Sequence, residues 1–147
     1  DGDYDFALLA DDGVELKLGA NFSSYAKYEG VTPTKLICGD GRAVRLREGH
    51  TLPLKLAYFQ GPRHHIALQL LWRAHSDTPD PACGQSGNDL WFDSNQTPSR
   101  PKTAYNQLLS RGWSVVPASA FRIPDDELMN PCRSDAVQEE FQDANPI

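Results

Sequence analysis

Long apolar runs are missing from this sequence. The longest are a handful of residues, far short of the ~20 needed to cross a bilayer as a helix, so no membrane span is expected. Catalytic signatures are missing too: there is no Gly-x-Ser-x-Gly elbow, phosphate-binding glycine loop or His-Glu-x-x-His. The paired acids Asp125-Asp126 lie in a polar tail, where nothing would raise a carboxyl pKa for acid catalysis. The chain therefore reads as a non-enzyme. Basic residues are few, 14 Lys+Arg against 20 Asp+Glu for a net charge of −6, and they are scattered singly. Without a clustered basic face, nucleic acid is not an expected partner. Cysteine is scarce, and Cys38, Cys83 and Cys132 fit no CxxC zinc or redox spacing. One disulfide with a leftover thiol and a bond to another chain both stay open. No basic and then apolar leader opens the chain, and no initiator Met, so a processed or excised segment is expected.

What is present points to one folded domain. A length of 147 residues suits a single core, and three Trp, five Tyr and six Phe are too many for a disordered acidic chain. Eleven Gly and eleven Pro imply many turns and short elements, which favours an all-β fold. Charge is uneven: residues 1–30 carry −5, residues 125–147 carry −6, and the middle carries +5. Acidity near the start suits a hard cation. The triplets Asn21-Phe22-Ser23 and Asn95-Gln96-Thr97 are glycosylation acceptors if the source glycosylates. An extracellular or cell-surface setting is expected.

Periodicity supplies the strands. Tyr4, Phe6, Leu8 and Ala10 share one face, Asp11-Asp12-Gly13 reads as a turn, and Val14, Leu16 and Leu18 continue as the second arm of a hairpin. Gly19 to Pro33 reads as a polar loop. Val44 and Leu46 mark a third strand, and Leu52, Leu54, Leu56 and Tyr58 a fourth, with Pro53 tolerable only near a strand start or an edge. Ile66, Leu68, Leu70 and Trp72 form the next inward face. Five strands with turns at this spacing predict a sandwich or barrel. Residues 74–101 are loop-like, Thr103 to Arg111 predict a short helix capped by Gly112, and Val115, Val116, Phe121 and Ile123 return to strand character. Ser134, with Val137 and Phe141 beyond it, predicts a short helix in the acidic tail.

Three stretches resemble the protective-antigen-type domain, a β-sandwich module. They are GDYDFALLADDGVELKL at 2–18, LREGHTLPLKLAYFQGPRHHIALQLLWR at 46–73 and VVPASAF at 115–121. The resemblance implies an all-β antiparallel sandwich or barrel over 1–124, with a loop-rich insertion at 74–112 and an acidic tail at 125–147. The family's opening strands, which precede the first match, are absent from this chain.

In sugar-binding members of that family, adjacent aspartates hold one calcium through a rare cis peptide, an Asn from a later loop completes the protein ligands, and sugar hydroxyls take open positions. Carried over, the metal ligands are Asp11 and Asp12, with Gln60 at the Asn position. Calcium takes six to eight oxygens, so two carboxylates at one turn would neutralise it and leave sites vacant. The plainer reading is a well-formed hairpin turn. His64 and Trp91 join these three as ligand-side candidates. His64 and His65 would point to opposite strand faces and cannot easily share a metal, so exposed loop residues are the competing reading. Trp91 either stacks on a sugar ring or anchors the insertion to the core.

The expected function is a non-catalytic extracellular carbohydrate-binding or adhesion module with a glycan or cell-surface ligand as partner; calcium dependence goes with the metal reading of Asp11 and Asp12 and is lost with the plain-turn reading. The alternative is a structural or assembly subunit whose sheet is completed by strands from another chain or a cleaved N-terminal piece.

Overall fold

A computed structural model describes residues 1–62, 65–93 and 95–124. The chain divides into two compact units, Asp1–Val116 and Pro117–Ile147, and the expected boundary after residue 124 falls inside the second. That unit is described only to residue 124, and its described residues include one 3-10 turn, Ala118–Ala120. Strand character therefore does not extend to Phe121 or Ile123 as the apolar pattern suggested. The expected tail helix lies outside the described residues.

The first unit is built mostly of antiparallel strands. In order they are β1 (Gly2–Asp11), β2 (Gly13–Leu18), β3 (Ser23–Tyr28), β4 (Lys35–Cys38), β5 (Val44–Leu46), β6 (Leu54–Phe59), β7 (Ala67–Ala74), β8 (Phe92–Asp93), β9 (Arg100–Pro101), helix α1 (Thr103–Ser110) and β10 (Ser114–Val115). One sheet runs β10-β7-β1-β4, with β5 also on β1; a second runs β3-β2-β6; β8 and β9 form a ribbon. Among the described residues no helix is long and apolar enough to cross a membrane.

β1 organises the unit because its buried run, from Asp5 to Asp11, loads both faces. Phe6, Leu8 and Ala10 face the second sheet and meet Val14, Leu16, Leu18, Tyr25 and Ala26. Ala7 and Leu9 face the other way and meet Trp91, Tyr105, Leu108 and Trp113 from the segment after β7. Alternation along a strand makes this division.

The hairpin expected at Asp11-Asp12-Gly13 is not formed. β7 occupies one edge of β1, and β4 with β5 the other, so β2 has no ladder position beside β1. The chain instead crosses at Asp12 into the second sheet, where β2 pairs with β3 and β6. The expected polar loop from Gly19 to Pro33 is also corrected, since Ser23–Tyr28 is a strand. Its alternation is hidden because Tyr25 and Ala26 are buried on successive positions, and a register shift interrupts its pairing with β2. The Pro53 position is as expected, immediately before β6.

The two long flanks of the inter-sheet core are closed unequally. On one, β3 lies against β4, and the Asp40 N–H donates to the Tyr25 carbonyl at 3.0 Å. The Phe6 N–H falls between the β5 and β4 ladders and donates to the Tyr25 hydroxyl at 3.2 Å. On the other flank are β6 and β7, where Leu52, Leu54, Leu56 and Tyr58 are half-buried and Leu68 is 40% exposed.

The segment from 75 to 113 covers the outer face of the β1 sheet. A disulfide joins Cys38 to Cys83, and residues 84–87 run along β4, with Leu36 donating to Gln85 at 3.0 Å and accepting from Gly84 at 2.8 Å. The buried Asp80 carboxylate accepts two bonds from Arg111, at 2.8 and 2.9 Å, and one from Trp113 Nε1 at 3.0 Å. Helix α1 ends as expected at Gly112, whose φ is +96°. Gly112 N–H donates to Leu109 at 3.1 Å and Trp113 N–H to Leu108 at 3.2 Å, the paired closure of a Schellman motif.

Candidate functional site

The crossing between sheets concentrates two acids at one point. β1 delivers Asp11 to the face it shares with Ala7 and Leu9, and Asp12 follows as the single residue before β2. The Asp11–Asp12 peptide bond is cis. Asp12 is 1% exposed and Asp11 5%.

Buried carboxylates need donors, and Asp12 takes them from two different loops. Its Oδ1 accepts the Thr32 N–H at 2.9 Å, and its Oδ2 accepts the Gly61 N–H at 2.8 Å. One side chain thus ties the β3–β4 loop to the β6–β7 loop. Gly61 has a steric reason: an added Cβ would lie 3.0 Å from Asp12 Oδ2, 3.2 Å from Val31 Cγ2 and 3.4 Å from Phe59 Cε1. A side chain here would require these neighbours to give way by a few tenths of an ångström.

The two acids differ in proton affinity. Burial works against ionising Asp12, but the Thr32 and Gly61 N–H groups and the neighbouring Asp11 carboxyl outweigh it and hold its pKa below the usual range. Burial also raises Asp11, and the hydrogen bond and charge of Asp12 raise it further against a smaller opposing pull from His65. The two carboxyls therefore titrate apart, with Asp12 the stronger acid of the pair.

Gln60 stands beside them but is engaged. Its Nε2 donates to the Pro62 carbonyl at 2.8 Å and the His65 carbonyl at 2.9 Å. Its Oε1 lies on the Tyr58 hydroxyl, which also reaches the Asp11 backbone carbonyl. A phenol has one proton, so the two oxygens share it. Burial and the two aspartates raise the Tyr58 pKa and keep that proton in place.

Asp11, Asp12 and Gln60 therefore lie at one corner, linked through the Tyr58 hydroxyl and the Gly61 N–H. His64 lies outside the described residues. Trp91 is corrected: it is 1% exposed, its Nε1 donates to the Thr34 carbonyl at 3.0 Å, and neither ring face is open to a sugar. It anchors the insertion, since a long irregular segment must bury something large to stay in place. Sequence reasoning missed Thr32, Tyr58, Gly61, and the exposed pair Val31 and Phe59. A residue that acts through its backbone N–H leaves no side-chain signature. Phe59 carried one signal, a large aromatic at an outward strand position.

The donor set is all oxygen, which fits a hard cation: Asp11 and Asp12 carboxylates, the Asp11 carbonyl and Gln60 Oε1. Among the described residues there is no group of three or more His, Cys, Asp and Glu that could hold a metal ion. A cleft lined by Arg45, Arg47, His50 and Leu52 and another lined by Leu90, Lys102, Thr103 and Gln107 do not include the corner. Comparison with known proteins finds no matching family model, curated protein or solved structure.

Proposed function

We propose that this chain is a non-catalytic, protective-antigen-type carbohydrate-binding module acting at a cell surface or outside the cell, with calcium held at Asp11 and Asp12. The observation that carries the reading is the pair of buried adjacent aspartates at a sheet crossing, clamped from two loops. Two touching carboxyls that cannot both ionise comfortably gain from a dication, which removes their repulsion. Asp11, Asp12 and the Gln60 carbonyl would hold the ion, and calcium, when bound, would supply open positions for vicinal sugar hydroxyls. The Thr32 and Gly61 N–H groups fix the Asp12 carboxylate, and Tyr58 fixes Gln60, so the oxygens are arranged before any ligand arrives.

Beside the corner, Val31 and Phe59 are 59% and 54% exposed, and both meet Gly61. Such an apolar lip next to polar oxygens suits a sugar ring, which has an apolar face and a hydroxyl rim. The Cys38–Cys83 disulfide supports an oxidising compartment, and Asn21 and Asn95 are exposed as glycan acceptors must be.

Calorimetry and thermal melts with calcium test the reading. Calcium at a hundredfold excess over its dissociation constant should stabilise the fold by about 2.7 kcal/mol, and Asp12→Asn should remove that gain. Binding of simple hexoses should then require calcium and vanish with chelator. No heat from calcium and no shift in melting temperature would overturn it.

A further inference from the structure

The β6–β7 flank leaves two kinds of demand unmet. Among the described residues β6 pairs only with β2, and Ala67–Gln69 of β7 only with β1, so each presents a row of unpaired N–H and C=O groups. Leu68 faces the inter-sheet core opposite Ala10, yet it is 40% exposed, and Ile66 just before the strand is 74% exposed. An apolar surface bordered by free backbone edges is covered best by another extended polypeptide, which satisfies both at once.

β6 itself has the pattern such a strand needs. Leu54, Leu56 and Tyr58 point inward, paired with Leu18, Leu16 and Val14, while Lys55 and Ala57 point out. Its charges select a register. Lys55 stands directly opposite Lys17 on β2, an unfavourable like-charge pair. Lys17 has Glu15 at 3.6 Å, whereas Lys55 makes no ion pair among the described residues. Pairing two β6 strands antiparallel about Leu56 sets Lys55 opposite Ala57 of the second copy, with that copy's Glu15 next in the row because Glu15 pairs with Ala57. Two strand spacings put that Glu15 about 10 Å from the Lys55 backbone, within reach of two long side chains. The axis repeats the contact, and a one-residue slip would turn the leucines outward.

We propose that two copies of this chain associate through this flank, their β6 edges pairing antiparallel about Leu56 so that two three-stranded sheets become one. The contact is self-complementary, as a two-fold interface must be. This goes beyond the calcium reading and does not depend on it.

Sedimentation velocity on the full chain, from low to high micromolar concentration, tests the proposal. The expected result is reversible association to twice the 16.3 kDa monomer mass. Ala57→Lys sets a second lysine opposite Lys55 twice across the axis, and should raise the dimer dissociation constant about tenfold. Ala57→Glu should lower it. Ile66→Lys, at a site already exposed in the monomer, should weaken the dimer while leaving the melting temperature and circular dichroism of the monomer intact. A chain that stays monomeric throughout the range overturns the proposal. So does a dimer indifferent to both Ala57→Lys and Ile66→Lys.

Discussion

The two faces of β1 are held by different means. Toward the second sheet, Phe6, Leu8 and Ala10 meet side chains delivered at period two by β2 and β3, and ladder hydrogen bonds already fix those strands. Toward the insertion, Ala7 and Leu9 meet Trp91, Leu108 and Trp113 on a segment with little regular structure. That segment has few ladder bonds of its own, so it is fixed by point attachments: a disulfide, the Asp80 cluster, and the Trp91 bond to Thr34. Regular elements share their positional information along the whole strand. Irregular ones concentrate it in a few side chains, each of which should matter more.

Asp80 offers the largest test of that contrast. Its side chain is fully buried and accepts from Arg111, Trp113 and the Ala82 N–H, while Arg73 lies 3.6 Å away and stacks over Trp113 at 4.7 Å. Asp80→Ala would leave donors buried without an acceptor, at a cost of about 3–5 kcal/mol in urea unfolding. Leu8→Ala on the other face should cost about 2–5 kcal/mol through its cavity. The distinguishing readout is local: hydrogen exchange should rise across 75–113 for Asp80→Ala, but across both sheets for Leu8→Ala. Uniform exchange in both variants would erase the contrast.

Acid should act on the insertion face through the same group. Burial tends to raise the Asp80 pKa, but Arg111, the Ala82 N–H and Trp113 hold it below the ordinary carboxylate value. Its contribution is therefore complete above the unfolded pKa and lost as pH falls through the lowered one. His75 behaves oppositely. Its bonds to Asp5 at 2.6 Å and Asp77 at 3.2 Å raise its pKa, so its contribution is full below the unfolded histidine value and fades as pH rises through the folded one. Urea midpoints across pH should show both limbs, with Asp80→Asn flattening the acid one and His75→Gln the alkaline one.

Removing the disulfide comes next in size. The bridge closes a separation of 45 residues, and its loss through Cys38→Ser with Cys83→Ser should cost about 2–4 kcal/mol. The effect should fall on β4 and residues 80–90, leaving the β2–β3–β6 sheet as well protected as before. Equal loss of protection in that sheet would show the two faces to be one cooperative unit.

The same contrast explains what the sequence could reveal. The period-two segments were legible as β1, β2, β5, β6 and β7, and Gly112 was legible as a helix end because a chain stop there has a local cause. The partner of each strand was not, because Asp11-Asp12-Gly13 has the composition of a hairpin turn whether or not both edges of β1 are taken. β3 was hidden by its interrupted alternation. At the candidate site Asp11, Asp12 and Gln60 were visible as candidate oxygen donors, whereas Thr32 and Gly61 act through main-chain N–H groups that any residue type except proline possesses. Trp91 gave an ambiguous signal, since a large aromatic in a long loop suits a ligand platform and an anchor equally well until its burial is known.

The smallest expected effect lies at the end of α1. Gly112 has φ +96°, a region where a Cβ is strained, and a Cβ there would meet nothing within 4 Å. Gly112→Ala therefore isolates backbone strain from crowding, and should cost about 1 kcal/mol. The position is also a lever on one face only. The turn it completes places Trp113 N–H on Leu108, and both side chains belong to the insertion-side cluster. The small loss should thus appear as faster exchange at the last turn of α1 and at Trp113, with Leu8 and Leu16 amides unchanged. A loss of several kcal/mol would mean that a single cap governs the whole insertion face. No loss at all would mean that the Asp80 bonds to Arg111 and Trp113 fix this turn without help from its backbone conformation.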